Sequence, residues 1–312
     1  MKLLAFKFKP LGRLTKIPDS QSVFGMLCYA ILEKFGEEKL SQILNRFANN
    51  NPDFIVSSFF LHNLFPYPME ITMPYQPNLT PEHTIKLKEL KKVRYISKDI
   101  FKAYLQDKNE FINTYSEKVF IGEYVIVQKE YLVTKEEQSQ FSEQLLKKEI
   151  QIRNLVGKTK EDKQLFYNEL IYCRDGVYFD LYVLVLNQDI KEDIIELISS
   201  LQYVSIGGGK SIGYNMFSCV EFEEIEFVNN NQTKTLLSIA SLDQDIQYDE
   251  SAYRIETLHN KINNAIHQVY KNTQTVLLEG SSIVTNKPFM GSILKEEIDD
   301  QVRYSNYLGL LV

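Results

Sequence analysis

The sequence predicts an α+β fold of two units, each mixing strands with helices. Three observations carry this. Leu3 to Lys9 reads as a strand whose second half alternates apolar and basic residues, and an apolar helix pattern follows it. The second half repeats a strand-then-helix opening before a run of glycines. The chain has 312 residues, 44% hydrophobic and 24% charged, which suits a folded protein of two domains at roughly 100–150 residues each.

The elements follow in order. Pro10 to Arg13 ends the first strand, with its lysines expected on the solvent face. Asp19 or Ser20 is placed to cap a helix from Ser22 to about Phe35. Gly36 fits the C-cap, and a second helix covers Glu37 to Ala48. Phe54 to Leu61 reads as one strand, and Phe65 to Pro77 as a proline-punctuated loop. A polar helix is expected over Pro81 to Tyr95 and one or two strands between Phe120 and Val133. The polar stretch Thr134 to Lys163 is the best boundary, dividing the chain into residues 1–150 and 151–312.

Beyond it come a strand from Val177 to Leu186, a helix from Ile190 to Leu201 capped by Asp189, and the glycine loop. Strands at Met216–Phe227 and Thr235–Leu242, and a helix at His259–Tyr270, complete the pattern. Strand, helix, loop, strand, strand, helix resembles a ferredoxin-like unit, and the first half opens in a similar way. Two such units are therefore expected.

The net charge of −6 disfavours a generally basic nucleic-acid binder, but local field matters more than the sum. Lys2, Lys7, Lys9, Arg13 and Lys16 precede any acid, and Lys86 to Lys98 is a second basic run. Acids gather later, at Glu221 to Glu226 and Asp243 to Glu250. One basic and one acidic face suit RNA on one side and protein on the other. Cys28, Cys173 and Cys219 are far apart and read as reduced thiols of a cytoplasmic protein. No apolar run reaches the ~20 residues of a membrane helix, so no membrane partner is expected.

The sharpest local signal is Ile206 to Tyr214. Gly207, Gly208, Gly209 and Gly213 permit positive φ and close approach by another backbone. Successive amides there can form an anion nest. Lys210 adds a charge, Ser211 a hydroxyl, and Tyr214 a face for a base or ribose. The nucleotide-triphosphatase pattern fails, because Val204 stands where it needs glycine, and the dinucleotide pattern fails at Ile212. His62, His83, His259 and His267 show no metal-type spacing. No metal or other cofactor is expected, and no nucleophile–base arrangement follows from spacing.

Several segments together resemble one family. Gly207 to Tyr214 resembles the glycine-rich loop of the RAMP superfamily, the repeat-associated CRISPR proteins. Ser20 to Leu27 is similar to the stretch that opens that family's first helix, and Leu64 to Pro68 to its proline loop. Lys91 to Ser97 and Arg153 to Thr159 match two further segments in the same order. Gln21, Tyr67, Lys158 and Lys160 depart from the family pattern.

The order points to the fourth-subunit family of type III-A CRISPR Csm complexes. That resemblance implies a non-catalytic subunit capping the 5′ handle of the guide RNA. Its implied protein partners are the large polymerase-like subunit and a backbone RAMP subunit. RNA contacts are implied for the loop glycines with Lys210 and Ser211, for Arg153, Asn154 and Lys158, and for Ser20 and Ser22. Lys7, Lys9, Arg13 and Lys16 join them on charge distribution alone. Two other readings stand beside this one. The first is an endoribonuclease of the same superfamily, with His62 as its earliest histidine. The second is a structural adaptor without RNA contact.

Overall fold

The computed structural model describes residues 1–72, 79–155, 164–209, 212–259, 272–298 and 301–312. Strand β1 (Lys2–Pro10) leads into α1 (Ser20–Ala48). Asp19 caps α1, its carboxylate accepting from the Ser22 amide at 2.8 Å. Gly36 sits at φ 83°, so α1 is two helical stretches meeting at a glycine, as the sequence suggested.

The expected single strand over Phe54–Leu61 is two short ones, β2 (Phe54–Val56) and β3 (Phe60–Leu61). Ser57 and Ser58 interrupt it because their hydroxyls bond backbone and side chains elsewhere. Then come β4 (Leu64–Pro66), α2 (Pro81–Leu90), β5 (Tyr95–Ser97), α3 (Lys98–Gln106) and α4 (Lys108–Ile121). The hairpin β6 (Tyr124–Val127) and β7 (Tyr131–Thr134) follows, with one turn of helix, α5 (Gln138–Phe141).

The stretch read as a polar boundary holds part of a hairpin of two ten-residue strands, β8 (Leu146–Leu155) and β9 (Gln164–Cys173). After it run β10 (Phe179–Val185), α6 (Lys191–Ser199), β11 (Val204–Ser205) and β12 (Met216–Glu226). Asn187, not Asp189, caps the turn before α6, accepting from the Asp189 amide.

The remaining strands are short. They are β13 (Thr233–Thr235), β14 (Ala240–Ser241), β15 (Ile255–Leu258), β16 (Gln274–Leu277), β17 (Ser282–Val284) and β18 (Phe289–Met290). The last three are β19 (Ile293–Ile298), β20 (Gln301–Asn306) and β21 (Gly309–Leu310). Past His259, the helix expected to Tyr270 lies outside the described residues.

The fold is mixed α+β. Its central sheet runs β11-β12-β1-β10-β2, with β3 also on β10. β1, α1, β2, β10, α6 and β12 form a βαββαβ unit with antiparallel partners. Strands from both sides of residue 150 pair in this sheet. Residues 62–178 lie between its second and third strands in sequence, carrying the β4-β5-β7-β6 sheet and the β8–β9 hairpin. Among the described residues the C-terminal strands pair in twos and threes, and no second βαββαβ sheet assembles.

The two faces of the sheet are covered differently. Glu224, opposite Leu4, pairs with Lys191 at the start of α6. Tyr182, opposite Ala5, stacks on Phe65 at 5.1 Å, and Phe65 stacks on Phe101 at 4.4 Å. Helix α6 thus covers the Leu4 face and the inserted segment the Ala5 face, burying aromatics that dominate the core.

Candidate nucleic-acid interface

Three segments distant in sequence meet at the glycine loop. The loop leaves β11 and enters β12, closed by Ile206 N to Asn215 O at 3.0 Å and by Tyr214 N to Gly209 O at 3.1 Å. Gly207, Gly209 and Gly213 have φ of 94°, 83° and 74°, so three of the four loop glycines occupy the left-handed region. Gly207 and Gly208 are exposed, and among the described residues their amides meet no acceptor.

The second segment, residues 11–16, lies beside the loop. Leu11 N donates to Met216 O at 2.8 Å, and Asn215 N donates to Arg13 O at 3.0 Å. Buried Asn215 locks the junction. Its Oδ1 accepts from Thr15 N at 2.7 Å, and its Nδ2 donates to Thr15 Oγ1 at 2.8 Å and Gly208 O at 2.7 Å. The third segment is the β8–β9 hairpin. Leu14 and Ile171 exchange backbone bonds of 2.9 and 2.7 Å, and the Tyr214 hydroxyl lies 2.8 Å from Gln151 Oε1. The exposed Arg13 guanidinium stands 4.7 Å from the Tyr172 ring centre, a cation–π distance.

The start of α1 is also close. A Cβ on Gly207 would lie 3.7 Å from Ser22 Oγ, so the loop rests over the first helical turn, where the helix dipole favours an anion. Asp19 opposes this. Burial raises its carboxyl, but Lys16, at 2.5 Å, and Ser22 outweigh burial and hold it below its ordinary value.

The expected site residues divide accordingly. Gly207, Gly208, Gly209, Gly213, Ser22 and Arg13 gather here. Lys9 is exposed on β1, and Lys16 is engaged by Asp19. Arg153 and Asn154 stand on β8 opposite Phe166 and Leu165. Lys158, Lys210 and Ser211 lie outside the described residues.

Two expectations need correction, and Lys7 stands apart from the rest of the site. Tyr214 is only 7% exposed and directed at Gln151, so its ring is packing and offers no open face. Ser20 is fully buried, its hydroxyl accepting from Ile239 N at 3.1 Å in the contact with the C-terminal region. Lys7 is away from the loop, paired with Glu221 at 2.7 Å beside a separate cavity. Sequence reasoning also missed Thr15, Asn215, Gln151 and Tyr172. None has a local signal, because each works only through a contact with a distant segment.

Solved structures place this architecture. A chain of the Csm3–Csm4 subcomplex of a type III-A CRISPR-Cas interference complex matches with TM-score 0.65 and 17% identity, over 100% of this chain and 98% of that one. The fold is that of Csm-complex chains. A chain of a Csm1–Csm4 cassette in complex with pppApA matches at TM-score 0.59 and 17% identity, over 99% and 97%. The same cassette with AMPPNP gives 0.58 and 17%, over 100% and 97%. No protein-family model and no curated protein matches the sequence. The Csm fold thus covers the whole chain. Among the described residues no cluster of His, Cys, Asp and Glu could hold a metal, and no helix is long and apolar enough to cross a membrane.

Proposed function

We propose that this chain is the Csm4-type subunit of a type III-A CRISPR interference complex, and that it holds the 5′ handle of the guide RNA along the glycine loop. Csm4 is the component common to the matching Csm3–Csm4 and Csm1–Csm4 structures, and the match runs end to end. The observation that carries the RNA reading is the convergence of the open loop, the segment bearing Arg13 and the β8–β9 hairpin. An exposed, side-chain-free backbone next to a helix N-terminus admits a ribose-phosphate strand, and Arg13 supplies charge beside it.

The partners in this reading are the guide RNA, the large polymerase-like subunit (Csm1 type) and the backbone subunit (Csm3 type). On the hairpin, Ile150, Ile152, Leu165 and Tyr167 are all more than 60% exposed. Ile152 stands opposite Tyr167, so these residues share one face of the ribbon. A patch of that kind suits burial against a protein neighbour. The chain acts in this reading as a binding subunit in the cytoplasm, without catalysing cleavage.

Filter binding of 5′-handle RNA to the full chain tests this. Gly208→Asp combined with Lys210→Ala is expected to weaken binding at least tenfold and to leave the fold intact. The wild type should lose affinity steeply with salt. Unchanged affinity in the double variant refutes the loop assignment.

One observation favours a second reading, repeat-RNA cleavage by His62. Its Nδ1 lies 2.8 Å from Asp180, which also accepts from Asn63 N and the Tyr182 hydroxyl, a pinned imidazole of the kind acid–base catalysis uses. Specific metal-independent cutting of repeat RNA, lost in His62→Ala, would establish it.

A further inference from the structure

A cavity of about 190 Å³ opens on the Ala5 face of the central sheet, away from the glycine loop. Its floor is Ala5 with Tyr182, directly opposed in the sheet register. Three polar pairs ring it. Lys7 pairs with Glu221 at 2.7 Å, Lys98 with Glu223 at 3.3 Å, and His62 with Asp180 at 2.8 Å. Lys7 stands opposite both Asp180 and Glu221, and Ala5 opposite Tyr182 and Glu223, so the strand side chains share one face. Alanine at position 5, between larger neighbours, leaves the space open.

Charge and size decide the guest. Two ammonium groups face three carboxylates, a balance hostile to a free phosphate and too weakly negative to select a cation. Donors and acceptors alternate, which suits a neutral ring that both gives and takes hydrogen bonds. Each lysine is about one-fifth exposed, whereas both glutamates are 62% exposed. Pairs to such open carboxylates are weak and can re-form with a guest. Asp180 already accepts from three donors, so it pins His62 and leaves the ring's Nε2 for a ligand. A cavity near 150 Å³ admits benzene, so this one admits a single six-membered ring.

We propose that the cavity takes an unstacked pyrimidine base. A carboxylate of Glu221 or Glu223 accepts the ring or exocyclic N–H, and Lys7 or Lys98 donates to a ring carbonyl. This rests on the reading of the chain as a binder of single-stranded RNA, and it adds a base-selective contact apart from the backbone grip of the loop. A free pyrimidine nucleotide would present the same edge.

The test uses the full chain with dodecamers of uridylate and adenylate, and with UMP and AMP. Paired hydrogen bonds to a base edge are worth roughly five- to a hundredfold in discrimination. The wild type is expected to prefer the uridylate dodecamer about tenfold. Ala5→Leu, which fills the cavity, and Glu223→Gln should each abolish the preference while the remaining affinity still responds to Gly208→Asp. If Ala5→Leu does not fold, Glu223→Gln carries the comparison, since Glu223 is largely exposed.

Equal binding of the two dodecamers, or a preference that survives both substitutions, overturns the proposal and leaves the loop reading standing. If neither dodecamer binds, the RNA reading fails. UMP binding lost in Ala5→Leu then keeps the cavity as a nucleotide site, and no UMP binding removes it too.

Discussion

Asn215 and Thr15, 200 positions apart, exchange two hydrogen bonds of 2.7 and 2.8 Å. That exchange ties the entry to β12 to the exit from β1. Asn215 also holds the Gly208 carbonyl and adopts φ 55°, a conformation asparagine tolerates better than alanine. Asn215 is fully buried, and Asn215→Ala removes all three of its side-chain bonds to the exposed Thr15 and Gly208. It should cost about 2–4 kcal/mol in urea unfolding. A loss below about 0.5 kcal/mol would mean the junction is held by other contacts.

Neighbouring glycines should respond differently. A Cβ on Gly208 meets nothing within 4 Å, so Gly208→Ala is expected to leave the melting temperature almost unchanged. Gly209 has φ +83° and would set its Cβ 3.0 Å from the Tyr214 Cβ. Gly209→Ala should destabilise by about 1–3 kcal/mol. Thermal melts of the two variants side by side check this.

Ser20 separates a structural role from a binding one. Its hydroxyl is the acceptor for the buried Ile239 amide, so Ser20→Ala should lower stability by about 1–3 kcal/mol. RNA affinity, measured under conditions where the variant is folded, should not change. A drop in affinity at unchanged stability would place Ser20 in the interface instead.

Burial pushes all three thiols up, Cys28 and Cys173 to about 12 and Cys219 to about 11, where a backbone hydrogen bond with Glu221 slightly offsets burial. The unfolded chain releases these protons near the ordinary thiol value while the folded chain keeps them. Above about pH 9 the unfolded state therefore binds fewer protons, and stability falls as pH rises. Burial raises Tyr67, Tyr104 and Tyr182 as well, in the same direction. Urea midpoints should decrease from pH 8 to pH 10, and the thiols of the folded chain should react slowly with a disulfide reagent at pH 8. Rapid reaction of all three in the native state would contradict the burial.

Local chemistry was legible in the sequence, and long-range pairing was not. The Asp19 cap, the Gly36 break and the strands around β1, β10 and β12 follow from caps, glycine and alternation. Nothing local says that β1 pairs with strands more than 170 residues away, so element order placed a boundary at 150 where the sheet has none. Hairpin β8–β9 gives no clean alternation in the sequence because apolar and charged residues mix on both of its faces, with Ile150 opposite Glu169 on one and Leu170 opposite Glu149 on the other. The loop glycines were readable from type alone. Ser20 was misread because a hydroxyl in a motif looks the same whether it meets RNA or a buried amide, and Tyr214 because the sequence does not show which way its ring turns.

Ultraviolet cross-linking of 5′-handle RNA to the full chain, with peptides mapped by mass spectrometry, tests the central claim most directly. The cross-links are expected in residues 11–16, 148–155 and 206–214, and to disappear together in Gly208→Asp. Cross-links confined to other surfaces, or none under conditions where RNA is retained, would contradict it.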